Sequence, residues 1–273
     1  MKEAIKEIIP QRFQPFAQRV YRRVYRKNTY RKTARYTTMQ YDYNSVLQCC
    51  IAYNQYGGYC VPLSSIHRPA VQKILSGDVY EPRTIEFIMS HCQDGDIVHA
   101  GTYFGDFLPA LSRSCTPDAK IWAYEPNPEN YRCAIMTLCI NGLENVELKN
   151  AGLGERQHSN VMVTTNSQGI PLGGASRIIS GHLKNFSGGK EEKIQIVTID
   201  DQVPVDRNIS IIQLDVEGYE KEVLSGAINT IKRCLPIIIL ENLPDENWLN
   251  ENILNLGYKV KQKVHGNTVL TCD

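Results

Sequence analysis

Three features of the sequence predict an α/β fold with a mostly parallel sheet for residues 93–273. Short apolar runs recur after residue 95, helix-length stretches separate them, and the chain closes on two alternating segments around His265-Gly266-Asn267. Strands alternating with helices pair in parallel beneath helices on both faces, and a terminal hairpin adds antiparallel strands at one edge. A chain of 273 residues with 42% hydrophobic composition can bury such a core.

In chain order, the first 36 residues form a separate arm. They carry 11 Lys and Arg against Glu3 and Glu7, a net charge of +9, which leaves −8 on the rest. Within the arm, "PFAQRVYRRVYRK" places Phe16, Val20 and Val24 four apart with the arginines largely off that stripe, which predicts a basic amphipathic helix. Residues 37–92 read as a helix-leaning lead-in, broken at "YGGY" and at three prolines and packed on the main domain. The strands that follow are "DIVHAG", "KIWAYEP", "NVELKNAG", "ISIIQLDVEG" and "LPIIILEN", with helices at about 106–115, 128–141, 219–233 and 246–256. At about 155–200 the pattern weakens into a Gly/Ser-rich insertion, expected near one end of the sheet, where long loops usually serve function.

Nine cysteines, odd in number, scattered and without a CxxC pair, argue against a zinc cluster or a disulfide framework. No apolar run approaches the ~20 residues that span a bilayer. The expectation is a cytoplasmic protein, peripheral to a membrane if the basic arm lies on an anionic surface. The other expectation is that the arm packs on its own domain or on a second subunit. Nucleic acid is not expected, given the acidic balance outside the arm.

In "DIVHAGTYFGD", a strand runs into a loop framed by Gly101 and Gly105 and then into a helix, which lets a ligand sit against backbone N–H groups. The spacing is G-x-x-x-G. Thr102, Tyr103 and Phe104 replace the central glycine that lets a pyrophosphate approach in dinucleotide binders, which disfavours a nicotinamide-dependent oxidoreductase. A strand-to-helix turn that needs glycine sterically fits the motif as well. Glu125, 20 residues after Gly105 at the next strand tip and fixed by Pro126, can accept both hydroxyls of a ribose. Asn150 and the backbone of Ala151 end the third strand, where an adenine edge would lie. A ribose, an adenine and a loop without phosphate contacts point to S-adenosylmethionine.

"YEPRTIEFI", the G-x-x-x-G loop, "EPNP", "NAGLG", "GASRI" and above all "LDVEGYEKEVLSGA" resemble the FkbM family of S-adenosylmethionine-dependent methyltransferases over roughly residues 80–242. The resemblance implies a Rossmann-like methyltransferase sheet and methylation of hydroxyls, commonly on sugars or polyketide-type products. It implies cofactor contacts at Glu81, His99, Gly101, Thr102, Tyr103, Gly105, Glu125, Pro126, Asn127, Asn150, Ala151 and Asp215. Two residues depart from the family pattern: His99 stands where Asp is usual, either beside the cofactor's ammonium group or as a core histidine with a structural partner, and Gln213 stands where Lys is usual.

Methyl transfer to a hydroxyl needs alignment and a proton acceptor. Asp215 and Glu241 end the fourth and fifth strands, and His182 lies in the insertion; these three are the candidate catalytic residues. Asp215, Glu241 and Asn242 could also present oxygens to Mg²⁺, but a saccharide hydroxyl reacts with base and alignment alone, and no metal is expected. The expected acceptor is a saccharide or related small molecule. The remaining alternative is a catalytically weak binding protein that uses the arm at a membrane or nucleic acid.

Overall fold

The computed structural model describes residues 46–92, 94–179 and 188–272, and the elements below lie in one unit spanning Leu47–Asp273. The arm at 1–36 and His182 lie outside the described residues.

The unit begins with an antiparallel hairpin, β1 (Cys49–Asn54) and β2 (Gly57–Pro62), followed by helices α1 (Pro69–Leu75) and α2 (Pro82–His91). The lead-in expected to lean to helix thus also contains a sheet. The cause is tertiary: β2 buries Tyr59, Cys60 and Val61 completely or nearly so, and Cys60 N–H donates to Thr137 Oγ1 at 3.0 Å on a helix 77 residues away.

Then follow β3 (Asp96–Ala100), α3 (Leu108–Ser114), β4 (Ile121–Tyr124), α4 (Pro128–Asn141) and β5 (Val146–Lys149). Helix α4 illustrates how local sequence sets its ends. Asn127 caps it by accepting from the N–H groups of Glu129 and Asn130, Pro128 takes the first turn, and Gly142 closes it at φ 63°.

The insertion folds as β6 (Gly152–Leu153), β7 (His158–Val163), β8 (Arg177–Ile178) and β9 (Glu191–Val197), a four-stranded sheet in the order β6-β9-β7-β8. After α5 (Ile199–Gln202) come β10 (Ile209–Leu214), α6 (Glu220–Ser225), α7 (Ile228–Cys234), β11 (Ile237–Leu240), α8 (Glu246–Asn252), β12 (Tyr258–Val264) and β13 (Asn267–Cys272). The helix expected over 219–233 is two helices, broken where Gly226 lies so close to Gly154 that a Cβ would meet its carbonyl oxygen at 2.0 Å.

The main sheet has the order β12-β13-β11-β10-β3-β4-β5. Strands β11, β10, β3, β4 and β5 run parallel, and the closing hairpin joins β11 antiparallel. Side chains alternate across it. Ile97, Ile121, Ile211 and Ile239 pack with Ile85, Ile88, Leu108 and Leu111 on one face. On the other, Val98, Trp122, Ile212 and Ile238 pack with Ile194 and Ile196 of the insertion sheet. Each such fully buried side chain stabilises the fold by about 1.5–3 kcal/mol. Strand order reverses between β3 and β10, so the loops leaving their carboxyl ends diverge and open a crevice.

Candidate active site

The crevice holds two adjoining clefts that share Gly101, Gly174, Asp215 and Glu217. The first is lined by Tyr124, Glu125, Pro126 and Ala151 from the β4 and β5 ends, and by Met162 and Ile178 of the insertion sheet and Ser176 just before β8. The second is lined by Glu81, His99, Tyr103, Asp106, Gln213 and Glu241, together with Arg68 and Phe107.

The glycine loop has a steric origin of its own. Gly101 adopts φ +81°, and a Cβ there would meet the Asp215 carbonyl oxygen at 1.8 Å, so the loop rests on the end of β10. Gly105, at φ +83°, packs against Thr137. Thr102 is fully buried and donates its hydroxyl to His99 O at 3.3 Å. Tyr103 adopts φ 54° and turns its N–H to Glu125 Oε2 at 2.7 Å.

Glu125 is 4% exposed and accepts a second N–H, from Asn127, on Oε1 at 2.8 Å. Burial pushes its carboxyl up to about 8, against the lowering effect of those two N–H groups. Asn127 is occupied by the cap of α4 and by donation to Ser176 Oγ at 3.0 Å. Asn150 donates to the carbonyl oxygens of Glu125 and Pro126, at 2.8 and 3.1 Å, and so holds the strand tip, while Ala151 lines the cleft. Glu81, at φ 48° before α2, accepts from Thr84 Oγ1 and Asn267 Nδ2 and lines the second cleft.

His99 is 2% exposed, stacked on Phe107 and hydrogen-bonded through Nδ1 to Gln213 Oε1. The two departures from the family pattern are therefore neighbours in space.

Acidic groups dominate the second cleft. Asp215, Glu217 and Glu241 each bring a carboxylate oxygen within 4.8 Å of the others, a group that could hold a metal ion. Asn242 instead donates to Glu241 Oε2 at 3.1 Å. Asp215 is raised well above the usual carboxylate range, first by burial, then by the negative charge of Glu241 and a hydrogen bond shared with it. Asp106 is pushed up to about 7 by burial and by Glu81. Glu217 is raised by burial and Glu241, partly offset by Arg177, whose Nη2 lies 3.3 Å from Glu217 Oε2. That pair joins "GASRI" to "DVEGYE". Sequence reasoning gave no role to Arg68, Phe107, Met162, Ser176 or Ile178, although "GASRI" was a signal for the last two.

Among the described residues, no helix is long and apolar enough to cross a membrane.

The methyltransferase FkbM domain matches residues 99–260, more than half of the chain. No curated protein matches. Among solved structures, a methyltransferase FkbM from Methylobacillus flagellatus KT is similar at 19% identity and TM-score 0.45, over 65% of this chain and 43% of that one. The chain thus spans less than half the length of that relative. A SAM-dependent methyltransferase from Aquifex aeolicus is similar at 13% identity and TM-score 0.39, over 71% and 92% of the two chains. A methyltransferase from Geobacter sulfurreducens is similar at 16% identity and TM-score 0.41, over 76% and 87%. By its match over residues 99–260, this chain belongs to the FkbM methyltransferase family, whose cofactor is S-adenosylmethionine.

Proposed function

We propose that the protein is an S-adenosylmethionine-dependent O-methyltransferase acting on a hydroxyl of a saccharide or related natural product. The observation that carries this reading is the meeting of a strand-tip carboxylate, Glu125, with the Asp215–Glu241 pair along one crevice at the switch point of the sheet.

The residues present fit the cofactor. Glu125 is held by two backbone N–H groups and lines the first cleft, so its remaining lone pairs suit ribose hydroxyls. Ala151 and Ile178 supply apolar walls for an adenine. In the second cleft the ring nitrogen Nε2 of His99 is buried with no partner among the described residues, and the carboxylates lining that cleft suit a positively charged amino-acid end. S-adenosylmethionine, when bound, supplies an electrophilic methyl group on a sulfonium.

What remains for the protein is to hold the acceptor hydroxyl in line and to take its proton. Asp215 lies with Glu217 and Glu241 in one carboxylate group, and burial together with the negative charge of Glu241 raises it above the usual carboxylate range, so it takes up a proton more readily than an ordinary carboxylate. Asp215 is the proton acceptor we assign. We assign the three-carboxylate group to this work and not to a metal. The arm at 1–36 is assigned to contact with an anionic membrane or a second subunit.

The test is transfer of a labelled methyl group from S-adenosylmethionine to a panel of saccharides and hydroxylated natural products. Label on an O-methyl product supports the reading. Binding of a nicotinamide cofactor in place of S-adenosylmethionine overturns it.

A further inference from the structure

Arg68 stands where α1 begins, and with Pro69 and Ala70 it forms part of the wall of the second cleft. It precedes residues 99–260, which carry the family match, whereas His99, Gly101, Gln213 and Asp215 in the same lining come from β3, β10 and the loops that leave them. The cofactor machinery is thus built on the sheet, and Arg68 reaches the cleft from an element outside it. Elements added around a shared scaffold commonly set specificity.

Among the described residues, no other Arg or Lys lines either cleft. Arg68 is half-buried, and its guanidinium makes no hydrogen bond or ion pair with any of them. Glu217 feels its charge but spends its contact on Arg177, whose Nη2 lies 3.3 Å from Oε2. A planar fork of N–H donors is therefore left facing ligand or water, and such a fork matches the paired oxygens of a carboxylate, sulfate or phosphate.

Five carboxyl groups share this lining, Glu81, Asp106, Asp215, Glu217 and Glu241, and would repel an anion if all were charged. Their charge is smaller than that count. Burial and Glu81 hold Asp106 at about 7, so it is about half protonated near neutrality, and Arg177 offsets part of the charge of Glu217. What the remaining carboxylates accept well is the hydroxyl group, which donates to them. One ligand that satisfies both the carboxylates and the free fork carries several hydroxyls and one oxyanion.

We propose that Arg68 selects the acceptor and that the acceptor is an acidic saccharide, whose oxyanion sits on the Arg68 fork while a hydroxyl of the same molecule reaches Asp215. This rests on the reading that the crevice methylates a saccharide hydroxyl, and it names the class of saccharide.

The test measures binding, so it does not depend on which hydroxyl is methylated. The full chain is saturated with S-adenosylhomocysteine and titrated calorimetrically with matched sugars: glucuronic acid, glucose 6-sulfate and glucose 6-phosphate against glucose, and galacturonic acid against galactose. At least one acid should bind about ten- to a hundredfold more tightly than its neutral partner, the range for a hydrogen bond to a charged group, and the acid that gains most identifies the oxyanion. Arg68→Met should remove that difference while S-adenosylhomocysteine binds within about twofold of the wild type. Arg68→Lys should restore only part of it, because an ammonium lacks the fork. With that acid as acceptor, labelled methyl transfer by Arg68→Met should show a raised KM and kcat within about threefold of the wild type. Equal binding within every pair, or no sugar bound at millimolar concentration by a protein that binds S-adenosylhomocysteine, overturns the inference and leaves the cofactor reading standing. A loss of S-adenosylhomocysteine affinity in Arg68→Met as large as the loss for the acid also overturns it, by placing Arg68 on the cofactor's carboxylate. Acid-selective binding that depends on Arg68, with no label transferred to oxygen, supports the oxyanion site and overturns the O-methyltransferase reading. A wild type that does not bind S-adenosylhomocysteine overturns both.

Discussion

Replacing Glu125 with Gln perturbs the first cleft with almost no change of shape. Each carboxylate oxygen accepts one backbone N–H, from Tyr103 at 2.7 Å and Asn127 at 2.8 Å. The amide introduced by Glu125→Gln would keep one acceptor and turn an NH₂ group toward the other N–H, so one buried backbone N–H loses its acceptor and two donors face each other. The loss is about 1–3 kcal/mol, and at 4% exposure water does little to restore it. Urea denaturation should report that drop in unfolding free energy. Calorimetry should report S-adenosylhomocysteine binding weakened by about ten- to a hundredfold, because the ribose hydroxyls call on the same carboxylate. Proton linkage supplies an internal control. The folded carboxyl is raised to about 8 by burial, so the folded state holds a proton that the unfolded chain has released. Its contribution to stability is fully present below the ordinary carboxylate pKa and is lost as pH rises through about 8. Ribose hydroxyls donate best to the ionised form, so wild-type affinity should climb over the same window and then level, while Glu125→Gln should lack this rise. A variant that binds S-adenosylhomocysteine within about twofold of the wild type, with the same pH dependence, would refute the assignment.

Three further predictions concern the frame and the proton acceptor. Asp96, 1% exposed, accepts from Lys120 N–H, Trp122 Nε1 and a two-point contact with Arg207; Asp96→Ala should lower stability by about 3–5 kcal/mol, and a shift under about 1 kcal/mol in urea would show the network to be dispensable. Gly101→Ala should fail to fold or lose more than about 3 kcal/mol, since its Cβ would lie 1.8 Å from the Asp215 carbonyl oxygen, whereas Gly218→Ala, at φ +94° with open space, should lose only about 1–2 kcal/mol of backbone strain; equal effects in thermal unfolding would remove the steric account. Asp215→Asn should cut methyl transfer at least ~100-fold while S-adenosylhomocysteine binding holds, and wild-type turnover should survive chelator; turnover abolished by chelator and restored by Mg²⁺ would reassign the three-carboxylate group to a metal.

Local sequence was enough to reveal the parallel strands β3, β4, β10 and β11, because a strand buried on both faces must be apolar along its whole length, whichever distant partners it meets, and the closing hairpin, because alternation on both sides of a Gly-containing turn is itself a local pattern. The same holds for α4, whose cap, proline and terminal glycine are all adjacent in sequence to the helix they bound. Legibility failed where the partner is remote. The β1–β2 hairpin gains its burial from α4, which no periodicity in residues 49–62 announces. The insertion closes over the first cleft with Met162, Ser176 and Ile178, while the rest of that cleft's lining comes from the ends of β4, β5 and β10.

The site divides in the same way. Residue types and spacing were sufficient to single out Glu125, Asp215 and Glu241 as carboxylates at strand ends, and to mark His99 and Gln213 as departures from a family pattern. Sequence could not say that Asn150 and Asn127 are occupied in holding the strand tip and helix start, or that Gly101 is dictated by contact with β10. Nor could it say that His99 and Gln213 answer one another. Their hydrogen bond spans 114 residues and exists because β10 pairs with β3 in one register, so the chemistry of each side chain is local while its protonation and its partner are set by the tertiary fold.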